Sequence, residues 1–330
     1  MLCPFCLQDV TFEKKSVTGT APAGVPRDVF TCPKDKMEVP TQYEREYLSY
    51  PPVVINAVGY RGHGKTVYLA SLFHVLKRST LPDHWPRFFT MGLAEEDLNT
   101  IYRNMNLFDK GELPDATPKN FPRPTMIRVE GVPGQRNCTW LCFDTGGECF
   151  EKPTQLVQYA GFVSRARSVL FLISLCDLPS PAQEMSRLLN VYVIGLQQLE
   201  GRTEDQDLVV VYTKADELSW DGEWGDLGEY LARGTVDRLA RDSGYIGRLN
   251  WVSERLKQFT QKGLKASEFL NAARKNFKSV EFCLVSSLGA KPEGKRLSVC
   301  ISPKRVLDPM LWVMEKSRPG WLQSLRRWFL

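Results

Sequence analysis

One stretch near residue 60 constrains the fold more than any other part of the chain. It reads Gly59-Tyr60-Arg61-Gly62-His63-Gly64-Lys65-Thr66, which fits the spacing G-x-x-x-x-G-K-[ST]. Glycines in such a loop let the backbone approach phosphate groups closely, because no Cβ stands in the way. Lys65 would reach the β- and γ-phosphates of a nucleotide, and the Thr66 hydroxyl would bind Mg²⁺. The other residues predicted to surround the phosphates are Gly59, Arg61, Gly62, His63, Gly64 and Val67.

The flanks of this loop support the same interpretation. The run Val53–Val58 is short, apolar and β-branched, as a buried parallel strand requires. Apolar residues then recur at helical spacing from Leu69 to Leu76. Strand, glycine loop and helix together place phosphates on a helix N-terminus. The alternative is a glycine-rich turn followed by an accidental Lys-Thr pair.

Composition and charge place the chain among ordinary soluble proteins. Of its 330 residues, 43% are hydrophobic and 25% charged, and the net charge of +5 does not indicate a nucleic-acid partner. The chain has no apolar run of about 18 residues, and the N-terminus lacks the pattern of a secretory signal. It has nine cysteines, an odd number, and they are spread over predicted strands as well as loops. That usage is typical of a reducing cytosol, so we expect a cytoplasmic location.

The first 40 residues carry a pattern of possible metal ligands. Cys3-Pro4-Phe5-Cys6 is followed by Cys32-Pro33-Lys34-Asp35, with a Gly/Pro-rich loop between two short strands. Two such knuckles make a zinc ribbon when four side chains converge, and a carboxylate can serve as a zinc ligand. The predicted set is Cys3, Cys6, Cys32 and Asp35. The alternative is a ribbon that holds no metal.

A carboxylate follows the second of two predicted antiparallel strands. Thr125–Glu130 and Cys138–Phe143 alternate apolar and polar residues across a Gly-Val-Pro-Gly turn. Asp144 then stands at a strand end, where it could hold Mg²⁺ through water. Gly147 could offer its backbone N–H to the γ-phosphate. Taken alone, the stretch could equally be an ordinary acidic turn.

Two further apolar strands lead to residues suited to a purine base. The runs Val169–Leu175 and Leu208–Tyr212 flank a helical pattern, and the second ends in Thr213-Lys214-Ala215-Asp216. Asp216 could accept hydrogen bonds from guanine N1–H and N2–H₂, while the Lys214 stem covers the ring. Adenine lacks both donors, so it would leave a buried carboxylate unpaired.

The last strand completes the predicted site. Val280–Val285 ends in Ser286, Ser287 and Leu288, whose backbone N–H groups could bind the base carbonyl O6. Each phosphate- or base-binding stretch follows an apolar strand. Ligands of open α/β folds bind at the carboxyl ends of such strands, so we expect all of these stretches at one edge of a sheet.

These motifs in this order resemble the TRAFAC-class, Ras-like P-loop GTPases. The matching stretches are GYRGHGKT, DTGG, TKAD and SSL, spread over residues 52–290. The resemblance implies an α/β P-loop NTPase fold whose mostly parallel sheet has one antiparallel strand and helices on both faces. It implies GTP or GDP with Mg²⁺ as ligands, and phosphate sensing by Asp144 and Gly147. With its zinc-ribbon-like start, the chain also resembles GTPases of bacterial conflict and defence systems.

Three positions depart from the family pattern. In the family a threonine completes the Mg²⁺ shell, and in this sequence two residues could correspond to it, Thr117 and Thr125. We favour Thr117 because it lies in an irregular stretch. Glu148 replaces a glutamine that orients water, and its charge repels the γ-phosphate. Hydrolysis is therefore expected to be slow, unless Glu148 acts as a base. Arg61 either stabilises charge at the phosphates or points to solvent, and we favour solvent.

The remaining segments give the predicted organisation. We expect a zinc-ribbon-like module at 1–45, a GTPase domain at 46–305 and a helical, amphipathic tail at 306–330. A long irregular region at about 80–123 is expected to be functional. An insert at 217–279 is acidic first and then basic, which indicates either a partner surface or solvated helix faces. The tail could dock on its own domain, or contact a partner protein or a membrane surface.

Three functions fit the sequence. The leading hypothesis is a GTPase that hydrolyses GTP to GDP and phosphate and acts as a switch for a protein partner. The second is a GTP-binding scaffold with little turnover. The third is a P-loop ATPase in which the TKAD match is accidental.

Overall fold

A seven-stranded sheet forms the centre of the protein, and the computed structural model describes residues 1–17, 27–78, 81–118, 121–233 and 245–317. The strands of this sheet are β4 (Pro52–Val58), β5 (Phe89–Gly92), β6 (Thr125–Glu130), β7 (Cys138–Phe143), β8 (Ser168–Ser174), β9 (Asp207–Thr213) and β10 (Ser279–Leu284). Their order across the sheet is β10-β9-β8-β4-β7-β6-β5. Strand β6 pairs antiparallel with both neighbours, while the other pairs are parallel. The predicted single antiparallel strand is confirmed.

Helices cover both faces of this sheet, as predicted. The helices are α1 (Thr41–Arg45), α2 (Lys65–Arg78), α3 (Leu81–His84), α4 (Glu95–Asp109), α5 (Pro153–Tyr159), α6 (Pro181–Gln198), α7 (Gly225–Ala232), α8 (Tyr245–Gln258), α9 (Ser267–Asn276) and α10 (Asp308–Lys316). In β8, Phe171 points into one hydrophobic core and Leu172 into the other. Burial on both faces explains why this strand is apolar throughout.

The region predicted to be irregular at about 80–123 contains regular structure. Strand β5 extends the sheet at its edge, and α4 packs against α2. Helix α4 buries Ile101, Met105 and Phe108, which recur at helical spacing among polar residues. The prediction of an irregular region was wrong for α4, because the prolines that follow this helix in the sequence led us to extend the predicted loop over it. Residues 111–118 remain without a regular element.

The N-terminal residues form a three-stranded antiparallel sheet of β1 (Glu13–Val17), β2 (Arg27–Thr31) and β3 (Glu38–Val39). The predicted loop between β1 and β2, residues 18–26, lies outside the described residues. Phe5, Phe12 and Tyr43 are buried in the same hydrophobic core as one face of the central sheet. This small sheet is therefore packed onto the rest of the protein.

Within the insert at 217–279, the described residues include α7, α8, a π-helical turn at Phe259–Gly263 and α9, and residues 234–244 lie outside the description. Its acidic and basic parts pair with each other, since the Arg255 guanidinium lies 2.6 Å from the Asp226 carboxylate. Lys262 lies 3.7 Å from Glu223. This pairing favours solvated helix faces over a surface of separated charge.

The C-terminal helix predicted around Pro309–Met314 is present as α10 and packs on β8, β9 and β10. The amphipathic stretch beyond it, at 318–330, lies outside the described residues. Within the described part of the chain, no helix combines the length and apolar character that a membrane span needs.

Candidate functional site

A cleft of about 700 Å³ lies at the carboxyl edge of the parallel strands, where the predicted ligand stretches meet. It lies within the size range of small-molecule sites. We call it the main cleft. The predicted site residues that line it are Arg61, Gly62, Gly64, Lys65, Thr66, Val67, Thr117, Gly147, Glu148, Thr213, Lys214, Asp216, Ser287 and Leu288.

The phosphate loop adopts a conformation that only glycine takes readily. Gly62 and Gly64 have φ values of +85° and +78°. Lys65 is buried, and its Nζ donates to the carbonyl oxygens of Gly59 at 2.8 Å and Tyr60 at 3.1 Å. Burial lowers the pKa of Lys65 to about 8. The loop therefore holds its ammonium group at the base of the cleft.

Four predicted site residues do not line the main cleft but lie next to it: Gly59, His63, Asp144 and Ser286. His63 is buried, with Nδ1 3.0 Å from the Leu172 carbonyl oxygen, and burial lowers its pKa to about 4. The Ser286 hydroxyl accepts a hydrogen bond from Gly289 N–H at 2.9 Å. Gly59 contributes the carbonyl that Lys65 contacts, and Asp144 lies behind Thr117. The buried residues among them position the loops rather than face the cleft.

Three oxygen-bearing side chains converge next to the phosphate loop. The Thr66 and Thr117 hydroxyl oxygens are 2.6 Å apart, and the Thr117 hydroxyl donates to Asp144 Oδ2 at 2.7 Å. Burial raises the pKa of Asp144, while bonds from the two threonines oppose that shift. Its Oδ1 is buried and has no hydrogen-bond partner among the described residues. An all-oxygen set with an unsatisfied carboxylate oxygen fits Mg²⁺.

The alternative threonine does not join this group. Thr125 begins β6, and among the described residues the hydrogen bonds to Thr66 and Asp144 come from Thr117 rather than from Thr125. The geometry therefore places Thr117, rather than Thr125, beside Thr66 and Asp144.

The segment after Asp144 lies directly against the phosphate loop. A Cβ on Gly147 would stand 2.1 Å from the backbone nitrogen of Arg61, so no other residue fits there without displacing the loop. Arg61 Nη1 lies 3.7 Å from Glu148 Oε1. The Arg61 side chain is 77% exposed, so it lies largely in solvent and also forms this ion pair.

The side of the main cleft predicted to hold the guanine base contains a charged pair, Lys214 and Asp177, of which only Lys214 was predicted. Lys214 has a left-handed backbone, with φ 52°, and its Nζ donates to Asp177 Oδ2 at 2.6 Å. Burial raises the pKa of Asp177, but the hydrogen bonds from Lys214 and Ser174 and the charge of Lys214 together outweigh it and hold that pKa below its usual value. Asp216 and Leu288 line the same side. A carboxylate three residues after the end of β8 was a signal that could have identified Asp177.

A second missed wall comes from the segment after the last strand. Five residues of the segment 290–295 line the main cleft together with the segment 113–117. Leu113 N–H donates to the Lys295 carbonyl at 3.1 Å, and Leu297 N–H donates to the Gly111 carbonyl at 2.8 Å. We call residues 289–297 the strap. Since these contacts join residues that lie far apart in sequence, no local pattern could have indicated them.

The predicted zinc ligands also converge, on the N-terminal sheet. One donor atom from each of Cys3, Cys6, Cys32 and Asp35 lies within 4.8 Å of the others. The sulfur atoms of Cys6 and Cys32 are 3.7 Å apart. Tetrahedral bonds of about 2.3 Å to zinc place two sulfurs roughly 3.8 Å apart. The donor set and its spacing therefore fit Zn²⁺.

Fold and cleft together define the class of P-loop nucleotide-binding proteins, because a glycine loop joins a parallel strand to a helix at the ligand edge of the sheet. The family follows from comparison with family models. The model described as Double-GTPase 2 matches residues 53–281 of the 330. The chain therefore belongs to the Double-GTPase 2 family, and the predicted P-loop GTPase class is confirmed.

Comparison with solved structures finds matches of low sequence identity and low TM-score. One is sup35 complexed with GDP, with 14% identity, a TM-score of 0.35 and coverage of 84% of this chain and 48% of that chain. Another is the S. cerevisiae Ski7 GTPase-like domain bound to GDP and inorganic phosphate, with 12% identity and a TM-score of 0.34. That match covers 82% of this chain and 51% of the Ski7 chain. The chain spans about half the length of these solved chains. Comparison with curated proteins finds no match.

Proposed function

We propose that this protein binds GTP, hydrolyses it to GDP and phosphate, and acts as a nucleotide-dependent switch for a protein partner. The observation that carries the proposal is the contact of Thr117 with both Thr66 and Asp144, beside the loop of Lys65. Residues from three separate parts of the chain meet there. Their chemistry matches that of a site for a metal-bound triphosphate.

Each residue has a role in this proposal. Lys65 exchanges its two carbonyl partners for the β- and γ-phosphates, and Gly147 N–H contacts the γ-phosphate. Thr66, Thr117 and, through water, Asp144 would hold Mg²⁺, which when bound neutralises charge on the phosphate oxygens. Because Thr117 lies on a segment without regular structure, loss of the γ-phosphate would release that segment. This release is the switch that we propose.

Guanine selection rests on the base side of the main cleft. Asp216 accepts the two guanine donors, the Lys214 stem covers the ring, and Ser287 and Leu288 approach O6. Calorimetric titration of the full chain with GTP, GDP and ATP tests this assignment. We expect GTP and GDP to bind far more tightly than ATP, because adenine leaves the Asp216 carboxylate unpaired. Equal binding of ATP would instead support the P-loop ATPase.

Hydrolysis is tested by phosphate release from GTP. Lys65→Ala should weaken nucleotide binding roughly a hundredfold, because it removes a buried charged partner of the phosphates. Lys275→Ala is the matched control, since Lys275 is exposed in the last turn of α9. If wild type and Lys65→Ala both release phosphate only at background rate, the protein is not an enzyme under these conditions.

A second candidate function, a GTP-binding scaffold with little turnover, is favoured by the Arg61–Glu148 ion pair. This pair holds a carboxylate near the place of the γ-phosphate, where it repels charge and cannot donate an amide hydrogen bond. We expect Glu148→Gln to raise the rate of phosphate release, because it removes the repulsion and supplies a donor. A rate that falls in this variant would instead make Glu148 a base in the reaction.

The finer assignments are also proposals. We propose a zinc-binding module at 1–45, a GTPase domain at 46–305 with an insert at 217–279, and a tail at 306–330. The resemblance to GTPases of bacterial conflict systems makes proteins encoded beside this one the first partners to test. Binding of such a protein only in the GTP state would support the switch, and equal binding in both states would contradict it.

A further inference from the structure

A second cavity, of about 680 Å³, lies at the opposite edge of the central sheet from the main cleft. It is lined by the first residues of β4, β7 and β8, by the N-terminal sheet region and by the end of α10. Strand β4 pairs with β7 from Pro52 onward but with β8 only from Asn56. That offset leaves space beside the first residues of β4.

The charge in this cavity is predominantly positive. Among the described residues that line it, Arg136, Arg165 and Arg167 stand against one carboxylate, that of Asp9. Arg136 precedes β7 and the other two precede β8, so the guanidinium groups come from both sides of β4. We call this space the arginine cavity.

Two of these arginines are held in place from outside the central sheet. Arg136 Nη2 donates to the Leu48 carbonyl at 3.0 Å, and Arg165 Nη2 donates to Gln8 Oε1 at 3.3 Å. A guanidinium group has five N–H donors, so each keeps donors for another acceptor. Both partners belong to the N-terminal region, which therefore fixes the arginines at the junction with the sheet.

A buried hydroxyl in the same cavity lacks a partner. Ser168 lines the cavity and is 2% exposed, yet its Oγ has no hydrogen-bond partner among the described residues. Leaving such a group unsatisfied is unfavourable, because it has lost its hydrogen bond to water. The hydroxyl oxygen has almost no accessible surface, so an oxygen-rich ligand beside the arginines would supply the missing acceptor once the hydroxyl turns toward the cavity. This observation is independent of the charge, and it points to the same chemistry.

We propose that the arginine cavity binds a phosphate-bearing small molecule, held by Arg136, Arg165 and Arg167 with a hydrogen bond from Ser168. A tetrahedral phosphate directs its oxygens in several directions, which suits guanidinium groups that approach from two sides. A planar carboxylate would meet one side only. The size of the cavity fits a small molecule rather than a bare ion. This site stands apart from the proposed GTP site and does not depend on it.

Inorganic phosphate is the probe, and line broadening of its ³¹P signal on titration of the full chain measures binding. The titration is run with the main cleft saturated by GDP and Mg²⁺, and again with nucleotide-free Lys65→Ala protein. We expect binding in both. Arg136→Gln and Arg167→Gln should each weaken it about tenfold, since each removes a charge-assisted hydrogen bond.

Matched controls separate this site from general charge effects. Arg202→Gln should leave phosphate binding unchanged, because Arg202 is exposed and pairs with Glu204 and Asp205 away from the cavity. Ser168→Ala should weaken phosphate binding without changing the charge. Absence of phosphate binding, or equal binding in the arginine variants, would overturn the proposal. Malonate that binds as tightly as phosphate would overturn the phosphate assignment. Failure of GDP to bind is a separate result and bears only on the main cleft.

Discussion

Lys65 is the residue whose environment gives the clearest prediction about pH. Burial lowers its pKa to about 8, and the carboxylates of Asp144 and Glu148 oppose the shift only in part. The unfolded chain therefore binds more protons between this value and the ordinary 10.5, so the stability of the nucleotide-free protein rises with pH across that window. Phosphate oxygens would favour the charged form and raise the pKa of Lys65 again.

Nucleotide binding should consequently take up protons near pH 8. We expect GDP affinity to fall as pH rises from about 7 to about 9, because the lysine must be recharged on binding. Titration calorimetry in buffers of different ionisation enthalpy measures the uptake. Lys65→Arg is the control, since arginine stays protonated throughout. An uptake that persists in this variant would assign the proton to another group.

Thr117 gives a second prediction at the scale of single residues. Thr117→Ala should lower phosphate release or Mg²⁺ affinity roughly 10–100-fold, as loss of a residue that supports a metal site does. Thr125→Ala should have little effect, because Thr125 stands outside the group of Thr66 and Asp144. Thr117→Ser should restore much of the activity by returning the hydroxyl. Mg²⁺ titrations of phosphate release provide the measurement. A larger loss in Thr125→Ala would reverse the assignment.

Among the larger elements, the strap has the most direct consequence for the main cleft. Just beyond the strap, Ser302 N–H donates to the Leu288 carbonyl at 2.7 Å. This hydrogen bond connects the end of the strap to the loop that is predicted to bind guanine. The tip of the strap pairs with the segment that leads to Thr117. The ion pair of Lys295 with Asp115 is exposed and contributes little. The backbone hydrogen bonds therefore carry the connection between the two sides of the cleft.

Locking the strap should slow nucleotide release. Glu112 and Arg296 lie opposite each other in an antiparallel bridge, and the hydrogen bonds of this bridge are made by the residues on either side of them. In such a non-hydrogen-bonded pair the two Cα atoms lie roughly 4.5 Å apart. That separation suits a disulfide. We expect oxidised Glu112→Cys/Arg296→Cys protein to release fluorescent GDP at least about tenfold more slowly, since opening the strap then costs a covalent bond.

This experiment needs a background without interfering thiols. Cys176 and Cys300 are exposed, so both are first changed to serine. Each single cysteine variant under the same oxidant is the control, and reduction of the double variant should restore the original rate. An unchanged rate in the oxidised protein would show that the nucleotide leaves without strap opening.

At the scale of the whole molecule, the N-terminal region is bound to the rest by a shared core. Phe5 and Phe12 belong to the same hydrophobic cluster as Phe143 of β7. The guanidinium of Arg123, in the segment between α4 and β6, lies 5.2 Å from the centre of the Phe5 ring. Loss of order in the N-terminal region would therefore reach the neighbourhood of the main cleft.

Metal removal tests this dependence. We expect the purified protein to contain zinc, and a chelator to lower its melting temperature by about 5 °C or more, because metal binding and folding of so small a unit are coupled. Asp35→Ala should reduce zinc content, whereas Cys300→Ser should not, since Cys300 is exposed and outside the cluster. Metal analysis and thermal unfolding are the measurements. A protein that is zinc-free as purified and equally stable would contradict the prediction.

Much of the fold could be predicted because its signals are local. The apolar run of β8 is continuous because both of its faces are buried, and the loop before Lys65 needs glycines for its positive φ values. Strand β5 was missed because its four residues make too short a pattern, and helix α4 was missed because the prolines that follow it led us to extend the predicted loop over it. Asp177 was missed although it lies only three residues beyond the end of β8, which was the available signal.

The sequence by itself determined six of the seven strands of the central sheet, the phosphate loop and the order of the predicted ligand stretches, since each depends on neighbours a few residues away. Only the tertiary structure brings the Thr117 hydroxyl, rather than that of Thr125, against Thr66, because this contact depends on how distant parts of the chain pack together. The same holds for the strap and the arginine cavity. Their residues meet through contacts between distant parts of the chain, and no local periodicity encodes such contacts.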